Sequence, residues 1–285
     1  YPKEGKFTIK VAVRDEAGQE TVGTKVITLS STLTVSGAIT TTTWTGTIVV
    51  TGDLTVAAGQ TLTIAPGTSV LFAPIDQNKD GIGDYDLVVG GVLKVKGTKD
   101  EPVIFTVYGT QKTAGKGWNR VKLMGAGSTI DYAVFEYAQT GLEVRAKATV
   151  SNTLFQQNQT GIHANQGGDV TLTAVTSKDN LNHGLYVTGG GKSTSSGSVW
   201  SSNGQSGVLV YNTSSTATVL NMTGDSVESN KLAGVEVSGA ATGLVTKSLI
   251  SNNDYEGLRL YAYATYDPQV AFRLNNITEN AQVGA

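Results

Sequence analysis

The segment DQNKDGIGDYD, residues 76–86, concentrates side chains that bind hard metal ions, with four aspartates and one asparagine. Asp76, Asn78 and Asp80 stand at alternate positions and Gly81 follows directly, which is the opening of a calcium loop of the D-x-[DN]-x-[DN]-G type. A bound cation would balance carboxylates that otherwise repel one another. The segment therefore predicts a calcium site.

The numbering of such loops assigns a ligand to alternate positions. The candidate ligands are the side chains of Asp76, Asn78, Asp80, Asp84 and Asp86 and the backbone carbonyl of Ile82. Leu87 occupies the twelfth position, where a glutamate usually supplies two oxygens, so Asp86 is the candidate replacement. The flanking words LFAPI and DLVVGGVL are strand-like, and the loop resembles the isolated calcium loops of dockerins and thrombospondin type 3 repeats. We expect a structural Ca²⁺ that pins a long turn, remote from any face that binds substrate.

The composition favours an all-β protein as the carrier of this loop. The chain has 285 residues with 35 glycines and 5 prolines, and no segment shows sustained helical periodicity. The absence of cysteine excludes disulfides and thiolate sites. A net charge of −2 without a basic stripe argues against nucleic acid as a partner, and no apolar run reaches the roughly eighteen residues of a membrane span.

A repeated word, roughly V-x-x-N-x-x-x-G-L-x-V, occupies the second half of the chain. Its glycines are Gly141, Gly161, Gly184, Gly207, Gly234, Gly257 and Gly284, which are 20, 23, 23, 27, 23 and 27 residues apart. A period this short fits one coil of a parallel solenoid. We expect the residues one and three positions after each glycine to point inward in apolar columns, and the glycine itself to supply a tight bend before the strand.

An asparagine three or four residues before most of these glycines predicts a ladder of side-chain amides along one turn. The ladder positions are Asn158, Asn180, Asn203, Asn230, Asn253 and Asn280.

These repeats and the words GDLTVAAGQTLTIAPGTSVLF, GVLKVKGTKDEPVIFT and GWNRVKL make residues 31–285 resemble a secreted right-handed parallel β-helix of the pectate-lyase-like superfamily. The resemblance implies a solenoid in which residues 76–86 are an insertion. It is specific for the fold and weak for activity, because this fold serves many functions.

Residues 1–30 differ from the repeats and contain KFTIKVAVRDEAG and ETVGTKVITLS around a polar turn. These words resemble the C-terminal strands of polycystic-kidney-disease-type immunoglobulin-like modules, which implies a short β-sandwich-like segment. An incomplete sandwich cannot bury its face alone. We expect the strands to pack on the next domain or to mediate self-association with another chain.

The outward columns of the solenoid are where an active site would lie. Two residues after the repeat glycines, the sequence reads Glu143, His163, Tyr186, Leu209, Glu236 and Arg259. Glu143 and Glu236 would lie about 19 Å apart at the ordinary strand spacing, too far for a glycosidase pair. Glu236 and Arg259 predict a surface ion pair.

Two further candidates give no clear catalytic group. Glu136 and Asp179 are predicted to share a column about 10 Å apart, with Gln156 between them. His163 and His183 are predicted to be surface residues in different columns. The words NTD, DD, GHG and RIK of polygalacturonases and the characteristic words of pectate lyases are absent, so the sequence favours a role without catalysis.

Exposed tyrosines on a rigid face can stack against sugar rings. The candidate ligand-binding residues are Tyr186, Tyr211, Tyr261 and Tyr263, and ordinary surface decoration is the alternative. The sequence therefore predicts an extracellular or cell-surface structural and adhesive module that binds polysaccharide or a cell-surface glycan. The alternatives are a β-helix polysaccharide lyase or glycoside hydrolase, and a subunit of an extracellular filament.

Overall fold

The computed structural model describes residues 5–29, 32–110, 112–263 and 266–281, and these ranges contain β-strands and no helix. The first ten strands are β1 Gly5–Arg14, β2 Glu20–Leu29, β3 Thr32–Ala38, β4 Thr43–Trp44, β5 Thr47–Val56, β6 Thr61–Ile64, β7 Ser69–Phe72, β8 Asp86–Val89, β9 Val92–Lys96 and β10 Val103–Val107. The next ten are β11 Trp118–Leu123, β12 Ser128–Asp131, β13 Ala133–Glu136, β14 Ala138–Val144, β15 Lys147–Ser151, β16 Leu154–Gln156, β17 Thr160–Ala164, β18 Asp169–Thr173, β19 Thr176–Lys178 and β20 Leu185–Thr188. The last are β21 Lys192–Ser196, β22 Val199–Ser201, β23 Val208–Asn212, β24 Thr218–Thr223, β25 Ser226–Glu228, β26 Val235–Gly239, β27 Ala241–Thr246, β28 Leu249–Ser251, β29 Leu258–Tyr261, β30 Gln269–Arg273 and β31 Asn276–Thr278.

From β3 onward the strands wind into a parallel solenoid whose coils each supply strands to three rows. One row is a 10-stranded sheet that runs from β4 through every third strand, from β6 to β30. The other two rows form a 19-stranded sheet, which divides at the long strand β5. One of them contains β7, β10, β13, β16, β19, β22, β25, β28 and β31, and the other, called here the β8–β29 row, contains β8, β11, β14, β17, β20, β23, β26 and β29. The predicted parallel β-solenoid is confirmed.

The inward columns predicted from the repeat are present in register. Leu142 pairs with Ile162, and the column continues through the residue after each following repeat glycine. The members from Leu142 to Val235 are fully buried. A second type of stack lies on the neighbouring row, where the rings of Phe105, Phe135 and Phe155 pack face to face with centroids 4.4 and 4.9 Å apart. Because apolar burial stabilises by about 25 cal/mol per Å², these columns are the main source of stability.

The asparagine ladder is also confirmed. Asn180 donates its side-chain amide to Oδ1 of Asn203 at 2.9 Å, and Asn203 donates in the same way to Asn230 at 2.9 Å. The same Oδ1 atoms accept the backbone N–H of the asparagine one coil earlier. Each ladder asparagine follows a residue with positive φ, such as Asp179 at 53° and Ser202 at 55°. The ladder therefore satisfies the buried polar groups of a turn too tight to satisfy them internally.

The repeat glycines serve close packing between coils, and the prediction that they supply the bend is wrong. The positive φ values of this turn belong to the residues before the ladder asparagines, and Gly184 is not among the residues with positive φ. A Cβ atom built on Gly184 would lie 2.8 Å from the carbonyl oxygen of Gly207 and 3.0 Å from Nδ2 of Asn203. Any side chain here would push the next coil away.

Two coils are four residues longer than their neighbours, and the extra residues lie at one corner. Between the β8–β29 row and the 10-stranded sheet, four positions separate Thr188 from Lys192 in the usual coil. Eight positions separate the residues in register with them in the next coil, Tyr211 and Val219. The same extension follows β29 two coils later. The two enlarged corner loops therefore stand on the same edge of the solenoid.

The strand, turn, strand pattern of the first thirty residues is confirmed as an antiparallel hairpin of β1 and β2. Residues 8–25 are all exposed, and Ile9, Val11 and Val13 present a row of apolar side chains on one face. Packing of this hairpin on the solenoid, one of the two expected outcomes, is therefore not observed for residues 8–25. Self-association and the likeness to an immunoglobulin-like module stay predictions. Within the described ranges the protein has no helix of the length and hydropathy needed to cross a membrane.

We predict that Asn203→Ala lowers the melting temperature by several degrees. The change leaves the backbone N–H and side-chain amide of Asn180 without their acceptor, and each unsatisfied buried group costs about 1–3 kcal/mol. Thermal unfolding followed by circular dichroism measures the effect. Asn182→Ala is the matched control, since Asn182 is only half-buried and is not a member of the ladder. Equal melting temperatures for the two variants would contradict a stabilising role of the ladder.

Candidate functional site

The outward column of the β8–β29 row is the richest polar surface of the solenoid. Its predicted order is confirmed by the register, in which Glu143 pairs with His163, His163 with Tyr186, and Glu236 with Arg259. Neighbouring coils are about 4.8 Å apart, so side chains at adjacent positions of the column touch. The column therefore places two carboxylates on either side of an aromatic centre.

Glu143 is the first of these carboxylates, and it is only 1% exposed. Its Oε2 accepts a hydrogen bond from Arg120 at 3.0 Å, and its Oε1 accepts bonds from Arg145 at 2.6 Å and from Asn165 at 3.1 Å. Burial raises the pKa of Glu143, but the bonds from Arg145, Asn165 and Arg120 outweigh burial and hold the pKa below its ordinary value. Glu143 is therefore a charged anchor that fixes two arginines and an amide.

Glu236 is the second carboxylate, and it differs from the expected surface ion pair. Its side chain is 10% exposed, and Arg259 approaches it at 3.7 Å. Shorter bonds come from the hydroxyl groups of Ser206 at 2.6 Å and Tyr261 at 3.1 Å. The two hydroxyl groups satisfy the carboxylate oxygens of Glu236. Arg259 therefore only balances the charge of Glu236, and its guanidinium stays half-exposed.

Tyr186 lies between the two carboxylates and contacts both histidines. The ring of His163 stacks on it with centroids 4.7 Å apart and an interplanar angle of 14°, and the ring of His183 lies at 5.5 Å. His183 is 8% exposed, so the prediction that it is a surface residue is wrong, whereas His163 is half-buried on the outer face in a different column, as predicted. Burial lowers the pKa of both imidazoles, to about 4 for His163, where Glu143 opposes the shift. Both rings are neutral at neutral pH.

The hydrogen bonds of His163 indicate one tautomer. Asn165 donates Nδ2 to Glu143, which fixes its amide orientation, and the same Nδ2 lies 3.4 Å from Nδ1 of His163. Nδ1 is therefore the acceptor, and Nε2 carries the proton toward the hydroxyl of Thr188 at 3.0 Å. The ring is held from both sides, and the carbonyl oxygen Oδ1 of Asn165 is left buried without a partner in the described part of the chain.

The predicted ligand-binding tyrosines meet at the corner with the enlarged loops. Tyr211 contacts Tyr263 edge to face at 5.4 Å, and Tyr263 belongs to the second enlarged loop. A concavity of about 350 Å³ opens beside them. Its lining includes His163, Asn165, Tyr186, Tyr211, Asn212 and Ser214. Tyr186 and Tyr211 are thus brought together at the concavity, whereas Tyr261 is bonded to Glu236 outside that lining.

The prediction that Glu136 and Asp179 share a column is wrong. Gln156 pairs in register with Glu136 and then with Lys178, so Asp179 falls in the turn beyond the column. Glu136 accepts bonds from Thr106 at 2.9 Å and from Gln156 at 3.0 Å. Its carboxylate is therefore held by structural contacts.

The acidic loop is folded around its own backbone. Asp76 accepts the backbone N–H groups of Asp80 at 3.1 Å and Gly81 at 2.9 Å, and Asp84 accepts that of Gln77 at 2.6 Å. Gly81 has a φ of 84°, as a sharp turn at this position requires. The carboxylates of Asp76, Asp80 and Asp84 retain free lone pairs and form no ion pair with a lysine or arginine among the described residues.

This donor set is chemically suited to a hard cation, since carboxylate and amide oxygens are what Ca²⁺ prefers. Among the described residues, no group of three His, Asp or Glu side chains is arranged to hold a metal ion. The site residues Asn78 and Ile82 would complete the set with an amide and a backbone carbonyl. Calcium therefore stays a prediction.

Asp86 lies apart from the other candidate ligands, at the start of β8 beside the charged column. Arg120 approaches it at 3.7 Å, and its backbone N–H donates to Asp53 at 3.0 Å. Burial raises its pKa to about 6, with Arg120 opposing and Asp53 adding to the shift. The loop therefore leads into β8, which lies in the same row as His163 but three coils before the strand that carries it.

Sequence reasoning missed Arg120, Arg145, Asn165 and Thr188. Arg145, Asn165 and Thr188 stand four residues after their repeat glycines, so the same spacing that located Glu143 and His163 carried a signal for them. Arg120 lies in a coil without the repeated word, and only its register with Asp86 places it at the site.

We predict that the stability contributed by His163 depends on pH. Its folded pKa of about 4 is below the ordinary value of 6.5, so its stabilising effect is complete above pH 6.5 and is lost as pH falls toward 4. The native chain should therefore melt above His163→Gln at pH 6.5, and this difference in melting temperature should shrink as pH falls toward 4. An NMR titration of the imidazole checks the pKa directly, and an ordinary value would refute the prediction.

A family match supports the fold over part of the chain. The profile of the family described as "Right handed beta helix region" matches residues 112–244. A search of curated proteins gave no match. Among solved structures, the A-module of a mannuronan C-5 epimerase from Azotobacter vinelandii is similar with a TM-score of 0.46 at 13% identity, covering 84% of this chain and 88% of that one.

A variant of a periplasmic alginate epimerase gives a TM-score of 0.41 at 10% identity and covers 84% of this chain and 71% of that one. Identities this low transfer no activity to the present chain. The register of the coils and the family match over residues 112–244 together identify the chain as a right-handed parallel β-helix.

Proposed function

We propose that the chain is an extracellular structural and adhesive module that binds polysaccharide at the corner of the β8–β29 row. The observation that carries the proposal is the concavity of about 350 Å³ between Tyr186, Tyr211 and the first enlarged loop. Aromatic rings with polar edges and amide side chains are the groups that recognise sugars, which have apolar faces and hydroxyl rims.

The hydrogen-bonding groups of the concavity support a sugar ligand. The polar side chains of His163, Asn165 and Ser214 line the concavity and offer hydrogen-bonding groups to sugar hydroxyls. The ring edges of His163 and Tyr186 border the same space. Ordering these groups costs the protein little on binding, because stacking and the Glu143 contacts already hold them.

The charges near the concavity are balanced within the protein. Arg120 and Arg145 share Glu143, Asp86 lies 3.7 Å from Arg120, and Arg259 approaches Glu236. Paired charges do not attract an anionic polymer as a free basic patch would. Recognition should therefore rest on stacking and hydrogen bonds, and both neutral and acidic polysaccharides belong in the test.

We predict that Tyr186→Ala weakens polysaccharide binding about tenfold, which corresponds to about 1.4 kcal/mol of lost contact energy. Affinity electrophoresis in gels that contain each of a panel of neutral and acidic polysaccharides identifies a retained polymer, and calorimetry measures the change. Tyr108→Ala is the matched control, since Tyr108 is 50% exposed on β10's side of the solenoid, outside the concavity.

Equal retention of the two variants would overturn the proposed binding face. A thermal scan of both proteins ensures that the loss of Tyr186, which also packs on His163, has not unfolded the solenoid.

A polysaccharide lyase or hydrolase is the second candidate, and the neutral His163 favours it. A neutral imidazole stacked on a phenol and flanked by two arginines contains groups that can accept and donate protons. Both nitrogens of His163 already have partners, so a substrate would have to displace Thr188 before Nε2 could act. The same polysaccharide panel separates the two functions. Release of shortened or unsaturated products, abolished in His163→Gln, would replace the adhesive proposal with the enzymatic one.

Calcium is proposed as the structural ion of the acidic loop in this extracellular setting. Asp76, Asn78, Asp80 and Asp84 with the carbonyl of Ile82 would hold it, and Asp86 would join only by leaving Arg120. The ion would neutralise the carboxylates and fix the long turn. Extracellular calcium modules commonly bind in the range of about 10⁻⁴–10⁻³ M.

We predict that millimolar Ca²⁺ raises the melting temperature of the native chain and that Asp80→Asn reduces this rise. A ligand that binds only the folded state stabilises it, and the gain rises with the logarithm of ligand concentration once that concentration exceeds Kd. Asp100→Asn, which removes an exposed aspartate outside the loop, should keep the full rise. A calcium response that is absent in the native chain, or equal in both variants, would contradict the site.

A further inference from the structure

A second polar ladder runs along the turn between the 10-stranded sheet and the row that contains β13. At Thr153, and again in four successive coils from Ser198 after an interruption at Val175, a side chain accepts the backbone N–H of the equivalent residue one coil earlier. The acceptors are Thr153, Ser198, Asp225, Ser248 and Asn275, with distances of 3.4, 3.2, 2.7, 3.2 and 2.9 Å. Unlike the asparagine ladder, this one uses four residue types and contains one acid.

The neutral members of the second ladder donate a hydrogen bond as well as accepting one. Thr153 donates to the carbonyl of Ser151 at 2.7 Å, and Asn275 donates to that of Val245 at 2.9 Å. An ionised carboxylate can only accept. Asp225 uses Oδ1 for the N–H of Ser198, while its Oδ2 is buried without a partner within the described ranges.

The interior of the solenoid is unusually polar next to this aspartate. Ser195 takes an inward position that Leu172 and Met222 fill in the adjacent coils, and Ser193 does the same between Val170 and Leu220. Both hydroxyls are buried, and neither has a hydrogen-bond partner in the described part of the chain. Serine is smaller than the aliphatic residues that it replaces, so the column loses both apolar contact and volume here.

Trp200 completes the group, because its Nε1 is also buried without an acceptor in the described residues. Ser195 and Trp200 both face the Asp225 carboxyl, yet neither reaches it with hydrogen-bond geometry. Burial raises the pKa of Asp225 to about 6, and the groups of Ser198, Ser195 and Trp200 oppose that shift. Four of the eight buried side-chain atoms without partners in the described ranges belong to Ser193, Ser195, Trp200 and Asp225. Such a concentration points to one shared ligand.

We propose that the solenoid interior between Ser195, Trp200 and Asp225 is a hydration site that binds at least one ordered water molecule. The water accepts a hydrogen bond from Nε1 of Trp200 and donates to Oδ2 of Asp225 and to the hydroxyl of Ser195. Ser193 lies two residues before Ser195 on the same strand and faces the same interior.

The donors and acceptors favour water over a metal ion. The indole N–H of Trp200 can only donate, so it would turn its positive end toward a cation. Water supplies the one acceptor that the indole needs and the donors that Asp225 needs, and buried waters typically make about three such bonds.

Two measurements test the site directly. A crystal structure at high resolution should show density for water within hydrogen-bond distance of Oδ2 of Asp225 and Nε1 of Trp200. Water magnetic relaxation dispersion in solution should detect at least one long-lived internal water that is lost in Ser195→Val. Direct contact of Asp225 with Ser195 and Trp200, with no density between them, would overturn the proposal.

Two variants of similar shape, Ser195→Val and Ser195→Thr, distinguish a hydrated interior from a dry one. The difference between their melting temperatures has opposite signs in the two cases. Ser195→Val fills the space without a hydroxyl, whereas Ser195→Thr has nearly the same shape and keeps it. A hydrated site predicts that Ser195→Val melts several degrees below Ser195→Thr, because Asp225 and Trp200 lose their bridging partner. A dry void predicts that Ser195→Val melts at the same temperature or higher, since added apolar volume then fills the void, and that result would refute the water.

Discussion

Parallel stacking of coils at the strand spacing of about 4.8 Å is the constraint on which the rest of this structure depends. Every side chain has a neighbour at the equivalent position of the coil above and the coil below. An inward residue must therefore match its neighbours in size and polarity, and a turn residue must satisfy the backbone groups of the adjacent coil. The asparagine ladder meets this requirement with one residue type, because an amide both donates and accepts.

The candidate site follows from the same constraint applied to the outer surface. Register places Glu143 beside His163 and His163 beside Tyr186, although the members of each pair are a full coil of 20 or 23 residues apart in sequence. Glu143 is the least exposed member of the column, and it holds Arg120 and Arg145 in place. The aromatic centre is thus supported from one side by charge-assisted hydrogen bonds and from the other by the hydroxyl groups around Glu236. Strands carry Glu143, His163, Tyr186 and Glu236, and the corner loops beside them vary in length.

The sequence was informative wherever the chain repeats a residue type. The glycine spacing predicted the coils, the apolar columns and the asparagine ladder, and the register confirms them. It could not locate the second ladder, because Thr153, Ser198, Asp225 and Asn275 share a hydrogen-bonding role and no common residue identity.

Burial was also harder to predict than position. Glu143 in an outward column and His183 in a turn were both expected to be exposed, yet both are buried. Arg120, Arg145 and Asn165 surround Glu143, and the ring of Tyr186 packs on His183. The turn after Lys178 is one residue longer than the turn after Gln156, so Asp179 lies outside the column of Glu136. A shift of one residue moves a side chain to a different face. Period alone does not reveal a left-handed residue in a turn when the residue is not glycine.

The enlarged corner shows how such a protein could diversify. Asn212 donates to the carbonyl oxygens of Thr216 at 2.6 Å and Ala240 at 2.7 Å, so the first enlarged loop is tied at its base to the next coil. Neither ladder passes through this corner, and the strands on both sides keep their register. Segments of different length and chemistry could therefore be grafted here during evolution or by an engineer, while the scaffold that displays them remains unaltered.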